Sequence, residues 1–172
     1  MKTKTINLYE YSELSKEAKA NALYKWNEYN DDPLMQSHMI NLLKEELDER
    51  GIQYDDSIDV RYSLSSSQGD GLMFLGEFVW KRYTIYITHN NSNYYHTNTA
   101  YIDLQETNNL EYYMDDEHTD VIAFQNMYIE ICNKLEKIGY AEIEYQQSEE
   151  SFEGACEANE YSFREDGTME NN

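Results

Sequence analysis

The residues best placed to do chemistry lie in one stretch, Ser65-Ser66-Ser67-Gln68-Gly69-Asp70-Gly71, which joins two alternating apolar runs. Aspartate before glycine is a strong turn dipeptide, because glycine accepts positive φ and the carboxylate bonds its own backbone. A hairpin connection is therefore one reading. In the functional reading, Gly69 and Gly71 let a ligand approach the backbone while Gln68 and Asp70 are presented at the tip. The stretch lacks the lysine and the G-x-x-x-x-G-K spacing of a phosphate loop, which excludes nucleotide binding there. Metal-dependent hydrolysis needs clustered carboxylates. Asp70 and Glu77 flank one expected strand and are the catalytic candidates, with Asp59 and Asp103 on its neighbours, yet no spacing singles them out. His38, His89, His96 and His118 are scattered; His89 and His96 bracket a polar loop, but two histidines without a third ligand do not define a zinc site. No G-x-S-x-G, H-E-x-x-H or C-x-x-C occurs. Cys132 and Cys156 give neither a disulfide framework nor a metal spacing, and read as reduced thiols of a cytoplasmic protein. No metal and no cofactor is expected.

Charge is the stronger signal. The 172 residues carry 34 acids against 13 bases, a formal net charge of -21. Such a field repels nucleic acid and anionic membranes and favours a basic partner. The acidity is uneven. Tyr83 to Asn133 holds eight acids and no Lys or Arg, and Glu142 to Asn172 holds ten acids opposed by Arg164 alone. A run of acids is ordinarily a solvated face. Where bases are missing over a long stretch, it can also offer carboxylates at phosphate-like density to a basic groove. On that reading the binding residues are Asp115, Asp116 and Glu117 with Glu149, Glu150 and Glu153, alongside Gln68, Gly69, Asp70 and Gly71.

The elements that must position these groups follow from periodicity. Thr3 to Tyr9 alternates and predicts a short strand. Ser12 or Ser15 caps a helix whose Leu14, Ala18, Ala22, Trp26 and Tyr29 form one stripe. Asn30-Asp31-Asp32-Pro33 breaks it. A second helix runs from about Leu34 to Arg50, with Ile40, Leu43 and Leu47 buried, Glu46 pairing with Arg50, and Gly51 as a left-handed cap. The period then changes to two. Ile58 to Ser65, Leu72 to Trp80, Tyr83 to Thr88 and Thr97 to Leu104 predict four strands in an antiparallel meander, the second apolar on both faces and so central. After an acidic loop, Thr119 or Asp120 caps a long helix in which Val121, Phe124, Tyr128, Ile131, Leu135 and Ile138 repeat; Gly139 ends it or the helix runs on. A short helix at Glu149 to Ala158, a strand at Tyr161 to Arg164, a turn at Glu165-Asp166-Gly167 and a frayed tail complete the chain. The expectation is one α+β domain over residues 1–172: an antiparallel sheet of about five strands packed against a long C-terminal helix and two N-terminal helices. No apolar run approaches the roughly 20 residues that span a bilayer, and Met1-Lys2-Thr3-Lys4 leads into alternation rather than a signal-peptide core.

Three blocks carry a resemblance. Tyr9-Glu10-Tyr11-Ser12-Glu13-Leu14-Ser15-Lys16-Glu17-Ala18-Lys19-Ala20-Asn21-Ala22, Ser67 to Gly71, and Glu157-Ala158-Asn159-Glu160-Tyr161 with Phe163, Asp166 and Gly167 together resemble a family of small phage and prophage proteins. The segment Tyr83 to Asp120 has no counterpart in it. The resemblance implies a mobile-element protein made in the cytoplasm of a bacterial host. That origin, taken together with the one-signed charge, leads to the expectation of an inhibitor of an immune nuclease of CRISPR type, acting on a basic nucleic-acid-binding protein either by filling its channel or by interfering with its guide RNA. It supplies no catalytic residue. Two alternatives stand beside it: a metal-dependent, nuclease-like enzyme acting on RNA through Asp70 and Glu77, and an antitoxin-like module that binds one toxin.

Overall fold

The fold is taken from a computed structural model that describes residues 6–29, 35–65, 67–90, 93–106 and 114–170, with the backbone alone of 114–118. It is an α+β fold whose chain divides into two compact units, Met1–Asp32 with Ala141–Asn172, and Pro33–Tyr140.

In the first unit, Ser15 opens helix α1 (Lys16–Tyr29) by accepting the Ala18 amide at 3.2 Å, one of the two caps expected. Ala18 and Ala22 are its buried positions. Their small side chains let it approach α4 (Glu149–Asn159), which buries Phe152 and Cys156. Tyr11 and Phe152 meet edge to face at 5.0 Å, and Phe163 closes the cluster. Strand β6 (Ser162–Phe163) pairs with β7 (Met169–Glu170), so Thr168 to Glu170 does not fray as the sequence suggests. The expected turn forms before it, Gly167 donating to the Arg164 carbonyl at 2.9 Å, and an Arg164–Glu170 ion pair ties the ribbon. The strand expected over Thr3 to Tyr9 is reduced to a bridge between Tyr9 and Phe163. Ile6 and Leu8 are each 47% exposed and form no strand, because among the described residues no neighbour takes up their alternation; Thr3 to Thr5 lie outside the described residues.

In the second unit, α2 (Met35–Glu49) turns Met35, Met39, Leu43 and Leu47 inward, with Ile40 half-buried. Gly51 ends the turn at φ 67°, the left-handed cap expected of it. Strands β1 (Gln53–Tyr54) and β2 (Asp59–Ser63) both lie against β3 (Gly71–Trp80), whose other side takes β4 (Tyr83–His89) and then β5 (Ala100–Glu106), all antiparallel. The all-apolar β3 is central, as its composition requires. Helix α3 (Met114–Gln146) covers the sheet with Phe124, Tyr128, Ile131, Cys132 and Leu135. Tyr128 sits 4.6 Å from the Phe74 ring and Phe124 5.6 Å from Trp80. Each such fully buried aromatic contributes about 2–3 kcal/mol by burial. The helix starts before Thr119 and Asp120, which therefore do not cap it. Of the acidic stretch, residues 114–120 lie in the helix, whose positive end suits acidic residue types, and residues 107–113 lie outside the described residues. Gly139 does not end it. A Cβ there would stand 2.5 Å from Leu64 Cδ1 and 3.2 Å from Met35 Cε, so this glycine serves close packing in mid-helix.

Candidate functional site

Two regions hold the residues singled out in the sequence, one in each unit.

In the second unit, residues 64–70 form the connection between β2 and β3. Asp70 is turned into it. Its Oδ1 accepts from Ser63 Oγ at 3.2 Å, Ser65 Oγ at 3.1 Å and Ser67 Oγ at 2.9 Å; its Oδ2 accepts from the Ser67 amide at 3.0 Å and from Tyr140 on α3 at 2.8 Å. Partial burial alone would raise this carboxyl. The Ser67 amide, Tyr140 and the serine hydroxyls outweigh it and hold the group well below the usual carboxylate range. Five donors use the directions that a metal or a substrate proton would need. The same contact pushes the Tyr140 phenol up to about 12. Ser63, Ser65 and Ser67 are thus the hydrogen-bond donors to Asp70.

The glycines have an equally local cause. Gly69 has φ 114°, and a Cβ on it would strike the Tyr94 ring at 2.6 Å. A Cβ on Gly71 would stand 2.7 Å from His96 Nδ1 and 2.9 Å from the Tyr95 carbonyl oxygen. The backbone approach that these glycines permit is made by the chain's own Tyr94-Tyr95-His96 segment. Gln68 is exposed at the tip. His89 Nε2 lies 3.0 Å from the Tyr94 carbonyl oxygen and helps to fold the same segment.

The catalytic candidates are not brought together. Asp70 and Glu77 are seven residues apart along extended chain, about 20 Å, and Glu77 is exposed. Asp59 on β2 and Asp103 on β5 lie on opposite margins of the sheet, Asp59 held by Arg61 at 3.1 Å and Gln36 at 2.9 Å. Among the described residues no three His, Cys, Asp or Glu side chains could share a metal ion.

In the first unit, Glu149 and Glu150 occupy the first turn of α4, behind the N-cap Ser148, whose Oγ accepts from the Ser151 amide at 3.2 Å. Glu149 also takes the Tyr11 hydroxyl at 3.3 Å. Burial, then this carboxylate, drives the Tyr11 phenol far up. Glu153 faces an open groove of about 530 Å³, lined by Glu10, Tyr11, Cys156, Glu157, Glu160 and Tyr161. Four carboxylates line this groove and no base does. Glu160 caps α4 at φ 54°, a left-handed position usually given to glycine. Arg164 is the one base of Glu142 to Asn172, and it is held by Glu170.

Glu10, Glu157 and Glu160 are not among the binding residues expected from the sequence. The signal was present for two of them: Glu149, Glu153, Glu157 and Glu160 follow helical steps of four, four and three. Glu10 arrives only through the pairing of Tyr9 with Phe163. Asp115, Asp116 and Glu117 lie in the first turn of α3, and their side chains are outside the described residues. No protein-family model matches the chain, and no curated protein and no solved structure matches it either.

Proposed function

We propose that the chain is a binding protein that presents carboxylates to a basic, nucleic-acid-binding protein and occupies the surface where that partner holds phosphates. One observation carries this reading. Glu149, Glu150, Glu153 and Glu157 on α4, with Glu160 as its C-cap, place five carboxylates along one element. Their span is about 16 Å of axis, four intervals averaging about 4 Å. One strand of B-DNA carries a phosphate about every 3.4 Å. The one base within Glu142 to Asn172, Arg164, is engaged by Glu170, and Lys16 and Lys19 share a groove with Glu149 alone of the row. The resemblance to small phage proteins supports a narrower version, an inhibitor of a bacterial immune nuclease of CRISPR type. The Asp70 node supports a structural part for the glycine stretch.

The test is capture of partners from bacterial lysate at low and high salt, with the retained proteins identified by mass spectrometry. A basic nucleic-acid-binding protein should be held at low salt, shed at high salt and displaced by added duplex, since exposed charges are screened within about 8 Å at physiological ionic strength. Reversal of Glu153, Glu157 and Glu160 to lysine should abolish retention, and reversal of Asp115, Asp116 and Glu117 should weaken it. Retention that ignores both salt and the α4 reversal in a folded variant overturns the reading.

A further inference from the structure

Among the described residues the sheet ends on strand β5. Strand β5 pairs with β4 through seven consecutive partners, from Tyr83↔Glu106 to His89↔Ala100, with no bulge. Among the described residues no strand pairs on its outer side. Natural edge strands are usually blunted by shortness, charged side chains (lysine above all), proline, a bulge or a covering loop or helix. Ala100-Tyr101-Ile102-Asp103-Leu104-Gln105-Glu106 has no proline, lysine or bulge; its only charges are Asp103 and Glu106, both acidic, which repel an acidic strand and admit a basic one.

Its two faces differ. Ile102 and Leu104 stand opposite the buried Ile87 and Ile85, at the rim of the helix-covered core, and remain half-buried. Tyr101, Asp103 and Gln105 lie on the other face, with Tyr101 63% exposed. Asp103 has the Gln105 amide at 2.9 Å as its neighbour, while Arg82, at the far end of the edge, is engaged by Glu106 at 3.1 Å. From Tyr83 to Asn133 the sequence holds no Lys or Arg.

We infer that the outer edge of β5 is a docking site for an extended basic segment of a partner protein, added to the sheet as one more strand. Main-chain hydrogen bonds along the edge provide the attachment. Apolar side chains of the incoming strand cover Ile102 and Leu104, and a lysine or arginine on its other face meets Asp103. Charge also decides against a second copy of this chain. Full antiparallel overlap of two β5 strands sets Asp103 opposite its own counterpart, a destabilising like-charge pair, between chains of net charge -21 each.

The inference is independent of the carboxylates on α4, and its test separates the two. The probe is a capped heptapeptide alternating valine with lysine, titrated into the full-length ¹⁵N-labelled chain. Amide shifts and slowed hydrogen exchange are expected along Tyr101–Gln105. The same peptide with alternate amides N-methylated should bind at least tenfold more weakly, and so should one with glutamate for lysine. Asp103→Lys should reverse the preference between the lysine and glutamate peptides; Tyr101→Ser, milder on the fold, should weaken both. Reversal of the α4 glutamates should leave the β5 shifts in place. Shifts confined to α4, or equal binding of the N-methylated peptide, overturn the proposal. A concentration-dependent dimer that protects the β5 amides overturns the choice of occupant.

Discussion

Tyr140 donates its hydroxyl to Asp70 Oδ2 at 2.8 Å across 70 residues of sequence. This bond ties the β2–β3 connection to α3, so the loop is held by a helix and not by its own turn alone. Tyr140→Phe removes one donor of five and should cost about 1 kcal/mol, a fall of about 3 °C in melting temperature. Asp70→Asn should cost more, because its amide cannot accept at both positions. The pH dependence has a defined sign. The folded carboxyl lies below its unfolded value, so its contribution is complete above about pH 4 and is lost as pH falls. Acid unfolding followed by circular dichroism should show a shallower loss of stability below pH 4 in Asp70→Asn than in the parent. Parallel acid limbs would mean that Asp70 is not the carboxylate responsible.

At the end of α4, Glu160 holds a left-handed backbone that costs a non-glycine residue about 1 kcal/mol. Glu160→Gly should therefore raise stability by up to about that amount while removing one carboxylate from the groove. Opposite signs in chemical unfolding and in partner affinity are the expected outcome. If affinity is unchanged, Glu160 contributes nothing to recognition and the acidic row ends at Glu157.

Glu46 is the one buried charge among the described residues, 5% exposed, where α2 meets α3. Burial would raise its carboxyl, but Lys134 and Arg50, the latter at 2.5 Å, bring it below its ordinary value. Its partners are more exposed than it is and rehydrate when it is removed. Glu46→Met should accordingly stay within about 1 kcal/mol of the parent and lose the stability increment that appears as pH rises through about 4. Lys134→Ala leaves the buried carboxylate with Arg50 alone and should lower the melting temperature. The comparison needs only thermal melts at pH 7 and pH 4; a Glu46→Met variant that fails to fold would show that the ion pairs fix the docking of α2 on α3.

How far these features are legible in the sequence depends on the range of the contacts behind them. The burial of Phe124, Tyr128, Ile131 and Leu135 follows from spacing within one helix, and the central place of β3 follows from Met73, Phe74, Leu75 and Phe78 filling both faces. The Glu46–Arg50 pair is a step of four and equally readable. Asp70 looks like a turn residue or a ligand because four of its five donors lie within seven positions of it, while the fifth, Tyr140, is visible only in the fold. The α4 row is a local pattern, whereas Glu10 joins the groove through a bridge between the two ends of the chain. The short β1, β6 and β7 carry too few residues to show a period of two.

The two cysteines give the last expectation. Cys132, on the sheet-facing side of α3, is fully buried and its thiol is pushed up to about 12, by burial first; Cys156, at the edge of the acidic groove, is pushed up to about 11 by burial and then by Glu153. The thiolate is the reactive species, so at pH 8 both are almost wholly protonated as well as shielded. Iodoacetamide should label neither in the folded chain and both in denaturant. Cys156 should react first as denaturant rises, because its core is the smaller, and Cys132 only with global unfolding. Mass spectrometry of the time course decides this. Early labelling of Cys132 would show that α3 lifts from the sheet, in which case the Tyr140–Asp70 bond cannot hold the β2–β3 connection in the way argued above.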